Sequence, residues 1–149
     1  MTGAASTGGP APAIPIVVVD ASVWVSRLLR HDPNNARATA WVGRHVRNGG
    51  ILTAPTIIAV EVAAAVSRRT SNINDAHAAA NQLYALPFVR LAPIDQALIV
   101  DATNLSADLG LRGADAIYVA LAKQLGVPLL SFDTEQLTRP AGIITTIQP

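Results

Sequence analysis

No cysteine occurs in the 149 residues, which excludes a disulfide framework, a thiolate zinc site and a cysteine nucleophile together. Lysine is nearly as scarce, Lys123 being the only one. Aromatic residues make up 4% of the chain, too few to indicate a base-stacking platform for single-stranded nucleic acid. Charged residues make up 14%, against roughly a quarter in ordinary domains. No apolar run reaches the roughly 18 residues that a membrane helix needs, and no cation precedes Ile14 as a secretory signal would require. A cytoplasmic protein with no membrane partner is expected. His31, His45 and His77 share no metal-ligand spacing, so a histidine zinc site is not indicated.

What the chain has in abundance is aliphatic residues, the apolar set reaching 50%. One domain of this length buries roughly two thirds of its unfolded surface. The aliphatic content exceeds what one such core needs, and a protein partner would account for the excess. The segment Met1 to Ala13 (MTGAASTGGPAPA) is small, polar and rich in glycine and proline, and reads as a disordered tail ahead of a single domain over 14–149.

The stretch from Leu111 to Asp133 (LRGADAIYVALAKQLGVPLLSFD) organises that domain. After Gly113, the residues Ala116, Ile117, Val119, Ala120, Leu121 and Leu125 predict a buried helix with Gly126 as its stop. Val127 to Phe132 reads as a short apolar strand. Asp115 opens this helix-strand unit and Asp133 closes it. In α/β folds helices run antiparallel to the strands they connect, so the two carboxylates belong at the same sheet edge. Ile14 to Val19 is a second apolar run ending on an acid, Asp20, ahead of a helix to about Leu29. Ile51 to Ala54 reads as a strand, and Ile57 to about Thr70 as an alanine-rich helix with Glu61 one turn in.

Four carboxylates thus come to the carboxyl edge of one parallel sheet, where open α/β folds place their ligands. Hard oxygen donors with no imidazole or thiolate among them select Mg²⁺ or Mn²⁺. Such an ion activates water for attack on a phosphodiester. Each acid also has a plainer reading. Asp20 is a good helix cap, Asp115 suits a first helical turn through the dipole, and Asp133 suits a strand-to-turn junction. Glu61 is harder to explain so, because an unpartnered glutamate among Ile58, Val60 and Val62 would cost several kcal/mol. Ser22 and Ser131 lie two residues from Asp20 and Asp133, where they are suited to orient ligands or to satisfy backbone.

The remaining pattern predicts helices from Asn35, as cap, to Gly49, from Asn74 to Leu86 and from Asp95 to Leu109. Strands are predicted over Phe88–Ala92 and Ile143–Ile147. Asp101 and Asp108 are expected to face solvent. Arg27, Arg30, Arg37, Arg44, Arg47, Arg68 and Arg69 crowd a segment whose only acids are Asp32 and Glu61. That asymmetry suits phosphate binding beside a carboxylate cluster, and equally suits solvated helix faces.

Four blocks, VVVDASVWVS (Val17 to Ser26), APTIIAVEVAAAVSR (Ala54 to Arg68), GADAIYVALAKQLG (Gly113 to Gly126) and PLLSFD (Pro128 to Asp133), resemble in order and spacing the acidic blocks of PIN-domain nucleases. The size most resembles the VapC-type toxins of toxin-antitoxin pairs. The resemblance covers nearly everything from Ile14 onward. It implies a three-layer α/β/α sandwich with a parallel sheet of about five strands in the order 3-2-1-4-5. It further implies a Mg²⁺- or Mn²⁺-dependent endoribonuclease, a homodimer and a cognate antitoxin. Asp20, Glu61, Asp115 and Asp133 would be its metal-holding, catalytic residues.

Other classes fit less well. A response-regulator phosphoacceptor would place a lysine near a later strand, whereas Lys123 is mid-helix. A haloacid-dehalogenase-like phosphatase would carry an aspartate two residues after the first, where Ser22 stands. A catalytically silent PIN-like module that binds RNA or protein remains the alternative.

Overall fold

The computed structural model describes residues 11–149, so most of the expected N-terminal tail lies outside the described residues. The elements are β1 (Ile16–Val19), α1 (Ala21–Leu28), α2 (Asn35–Arg47), β2 (Ile51–Pro55), α3 (Ile57–Thr70), α4 (Ile73–Ala85), β3 (Val89–Ala92), α5 (Gln96–Leu109), α6 (Gly113–Leu125), β4 (Leu129–Leu130), α7 (Thr134–Thr138) and β5 (Thr146–Ile147). Every strand pairing is parallel, in the order β3-β2-β1-β4-β5, as the resemblance implies.

Successive residues of a strand point to opposite faces. Val17, Val18 and Val19 are all essentially inaccessible, so β1 is covered from both sides and must be central. This is the α/β/α sandwich. On the helix side, α6 packs against β1, β2 and β4 with α5 outside it, while α1 packs on α2 and α3, and α3 on α4. The expectation that α6 is apolar all round holds for Ala116, Val119, Ala120, Leu121 and Ala122, which are buried; Leu125 in its last turn is exposed. Each fully buried Val or Leu contributes about 1.5–3 kcal/mol relative to exposure, so the β1–α6 contact carries much of the stability of the edge that positions the acids.

Several boundaries differ from the sequence pattern. The last two strands are two residues each. Val127 is consumed in ending α6, its N–H donating to Ala122 O, and Pro128 has no N–H to give. Beyond Ser131 the backbone donors turn to side chains: Phe132 N–H donates to Ser22 Oγ and Asp133 N–H to Ser131 Oγ. Ile143 and Ile144 N–H both donate to Pro140 O, forming a turn where strand was predicted. Asn35 does not cap α2. Its amide instead donates to Ser26 O and Arg27 O, tying α2 to the end of α1. The α4 cap is Asn72, whose side chain accepts from Asn74 N–H and Asp75 N–H. The turn expected after Asp133 is the short helix α7.

Candidate active site

Asp20 follows β1 directly and caps α1, its Oδ2 accepting the Ser22 N–H at 3.1 Å. Capping alone does not require burial, yet Asp20 is 5% exposed. Burial raises its pKa, and hydrogen bonds from Ser22, Gln136 and Ser131 offset part of that rise. Glu61 lies on α3 and is half-buried. Its pKa is pushed up to about 7, chiefly by burial and further by the charges of Asp20 and Asp115. The phenol of Tyr118, itself fully buried on α6, faces Glu61 and favours its charged form, but the pair falls short of hydrogen-bond geometry. Glu61 Oε1 and Tyr118 Oη are therefore both buried without a partner among the described residues. Burial, then Glu61 and Asp20, hold the phenol well above its ordinary pKa.

Asp115 and Asp133 meet as the antiparallel helix-strand argument requires, and a cation joins them. The Arg112 guanidinium lies 3.0 Å from Asp115 Oδ2 through Nε and 3.2 Å from Asp133 Oδ2 through Nη2. Asp115 keeps a raised pKa nonetheless, from burial and from the charges of Asp133 and Asp20, against the opposing pull of Arg112. Asp133 is also the cap of α7, its Oδ1 accepting the Gln136 N–H at 3.0 Å. Asp115 thus lies within electrostatic reach of all three other acids.

As placed, no three His, Asp or Glu side chains among the described residues stand close enough to hold one ion. The donor chemistry nevertheless fits a hard divalent cation. The charges of Asp20 and Asp115 raise the pKa of Glu61, those of Asp133 and Asp20 raise that of Asp115, and the buried Glu61 Oε1 has no hydrogen-bond partner, which suits hard oxygen donors gathered around a cation. Asp101 and Asp108 lie apart on α5, Asp101 accepting from Gln124 at 2.6 Å and Asp108 exposed. His45 stacks on Trp41 and contacts Ile51 O at 3.1 Å.

A groove of about 470 Å³ runs beside Glu61, with Val25, Val60, Ala64 and Phe132 as apolar lining and Arg68 and Arg69 as cations. Arg69 pairs with Asp32 at 2.8 Å. Arg37 lies over the Phe132 ring, 5.4 Å from its centroid, and Arg27 over Trp24 at 5.0 Å. Arg68 of the arginine-rich segment lines the groove with Glu61.

Pattern reading missed three participants. Arg112 stands three residues before Asp115, a helical i,i+3 spacing that was open to inspection. Gln136 falls three residues after the cap in a D-x-x-Q pattern and reads as an ordinary cap partner. Tyr118 carries no local signal, since only packing brings it to Glu61.

An acidic, partly buried edge on a five-stranded parallel α/β sandwich defines a class, and the comparisons narrow it. The PIN domain family matches residues 17–142. This chain belongs to the PIN domain family. No curated protein matches it by sequence. Among solved structures it is similar to Mycobacterium tuberculosis VapC20, described as a sarcin-ricin loop cleaving toxin, at a TM-score of 0.73 and 20% identity over 89% of this chain and 99% of that one. It is also similar to VapBC2 from Rickettsia felis bound to a promoter DNA fragment, at 0.67 and 9% over 90% and 98%. FitAcB from Neisseria gonorrhoeae follows at 0.65 and 19% over 88% and 96%. At these identities the likeness is one of fold.

Proposed function

We propose that this chain is a Mg²⁺- or Mn²⁺-dependent endoribonuclease acting as the toxin of a toxin-antitoxin pair. The observation that carries the reading is Glu61: a half-buried carboxylate with pKa near 7 and a partnerless oxygen, beside Asp20 and Asp115, on a PIN-domain edge. Asp20, Glu61 and Asp115 would hold the ion, with Asp133 assisting. When bound, the ion supplies Lewis acidity toward a phosphodiester and a water that ionises near neutral pH. The protein's own part is to hold the acids aimed at the ion, and to bring an anionic substrate to them. Arg68 supplies the opposite charge in the groove.

The test is cleavage of single-stranded RNA by purified protein. Activity is expected with Mg²⁺ or Mn²⁺ and none in excess EDTA; cleavage that survives chelation sinks the reading.

The partner reading rests on exposed apolar surface and on the toxin-antitoxin complexes among the similar folds. Val60, one residue from Glu61, is 68% exposed, and Ile73 and Tyr84 on α4 are exposed to a similar degree. A cognate antitoxin or a second copy of the chain would cover such residues. No helix among the described residues is long and apolar enough to cross a membrane. A short reading frame beside this gene should encode a small protein that binds tightly and inhibits. Co-expression that yields neither a complex nor relief of growth inhibition would count against a toxin role.

A further inference from the structure

Gln136 is wholly buried on a five-residue helix at the protein's acidic edge. It touches two of the acids directly and a third through one serine. Its Nε2 donates to Asp115 Oδ1 at 3.3 Å and lies 3.5 Å from Asp115 O, while its backbone N–H donates to Asp133 Oδ1 at 3.0 Å. Its Oε1 accepts from Ser131 Oγ at 2.8 Å, and that Oγ lies 3.3 Å from Asp20 Oδ2.

The amide has only one workable orientation. Reversed, it would aim Oε1 at two acceptors on Asp115 and Nε2 at the Ser131 hydroxyl, leaving Asp115 Oδ1 without a donor. With Oε1 facing Ser131, the one hydroxyl proton is shared between Gln136 Oε1, over the shorter contact, and Asp20 Oδ2, over the longer.

A symmetry follows for the other two acids. In both Asp115 and Asp133, Oδ1 is fixed from inside, by the Gln136 side chain for Asp115 and by the backbone N–H of the same residue for Asp133, and Oδ2 points outward to Arg112. The inner contacts are buried amide donors, whereas the outer partner is a guanidinium on a side chain 72% exposed. An exposed ion pair of this kind is worth little and exchanges readily. The outer cation is replaceable, and the inner clamp is not.

We propose that the Gln136 side chain is a positioning residue of the site, clamping Oδ1 of Asp115 so that its outer oxygen is presented to a divalent cation. The proposal rests on the metal-dependent reading above. Outer contacts of this type commonly govern metal affinity or activity by about 10–100-fold.

The experiment compares wild type with Gln136→Met, which keeps length and removes both polar ends, and Gln136→Asn, which keeps the amide but falls one methylene short. Free Mn²⁺ is followed by electron paramagnetic resonance, folding by circular dichroism in EDTA, and kcat and KM on an RNA oligonucleotide that wild type cleaves. The expected result is a folded variant with Mn²⁺ affinity and kcat each down about 10–100-fold and KM for RNA within about threefold. A folded variant of either kind with wild-type Mn²⁺ affinity and kcat overturns the proposal. Should both variants fail to fold, wild type decides it: the Gln136 side-chain amide resonance should shift on Mg²⁺ titration, and its indifference at saturation overturns the clamp. Wild type that binds no Mn²⁺ overturns both this proposal and the functional reading, whereas wild type that binds and cleaves beside an equally able variant overturns this one alone.

Discussion

Asp115→Asn should lower metal-dependent RNA cleavage by more than about a hundredfold and yet raise the melting temperature of the metal-free protein. The first effect is the loss of one hard ligand oxygen and its charge, a larger change than the 10–100-fold typical of residues that only support a ligand. The second follows from the raised pKa of Asp115: burial and the charges of Asp133 and Asp20 outweigh the pull of Arg112, so the folded protein holds the ionised form at a disadvantage. An amide keeps the shape, and its oxygen can still accept from Gln136 Nε2. What it forfeits is the Arg112 pair, which is exposed and contributes little. Mn²⁺ should stabilise wild type by mass action and the variant much less, because the gain follows the logarithm of concentration over dissociation constant. Thermal melts in EDTA and in Mn²⁺ check this. A metal-free melting temperature lowered by Asp115→Asn, with no Mn²⁺ shift in either protein, would leave Asp115 as a structural residue of the first helical turn.

Glu61→Gln should flatten the pH dependence of metal-free stability. The folded pKa of about 7 lies above the ordinary value of 4.5, so folded protein binds more protons than unfolded protein between those pH values. Stability contributed by the neutral form is then fully present below about 4.5 and is lost as pH rises through 7. A displacement of that size corresponds to roughly 3 kcal/mol at full burial, and partial exposure of Glu61 reduces it to about 1–2 kcal/mol. At pH 8 the glutamine variant should therefore melt about 3–6 °C higher than wild type in EDTA, and at pH 4.5 within about a degree. Because Asp20 and Asp115 titrate in the same field, the transition belongs to the cluster rather than to one group. Melting curves in EDTA from pH 4.5 to 8 that run parallel for the two proteins would show that Glu61 is not under this strain. Mn²⁺ above pH 7 should restore the stability that ionisation removes, since it binds the charged form.

The two variants separate charge from shape at different depths. Asp115 is held by a surface arginine that shares its load, whereas Glu61 faces a phenol that does not reach it. The larger stability response is therefore expected at Glu61, and the larger catalytic response at Asp115.

How far the sequence alone reached depends on the range of the interactions involved. The α/β class and the placing of Asp20, Glu61, Asp115 and Asp133 at one sheet edge follow from local patterns: an apolar run ending on an acid, a glycine stop such as Gly126, and the antiparallel sense of helix and strand; the strand order with β1 at the centre came with the family resemblance. The valines of β1 are buried on both faces because a parallel sheet has helices on both sides, and that is visible in three consecutive residues. Strand ends were less legible. Val127, Phe132 and Ile143 are as apolar as strand residues, but their N–H groups are claimed by Ala122, Ser22 and Pro140, and no propensity encodes such choices. Most of all, tertiary structure decided how the acids are partnered. Nothing local distinguishes Gln136 as a cap residue from Gln136 as a clamp on Asp115, 21 positions away, or says that Arg112 bridges two aspartates while Glu61 is left with a phenol just out of reach. Those outcomes depend on packing distances that only the assembled core sets.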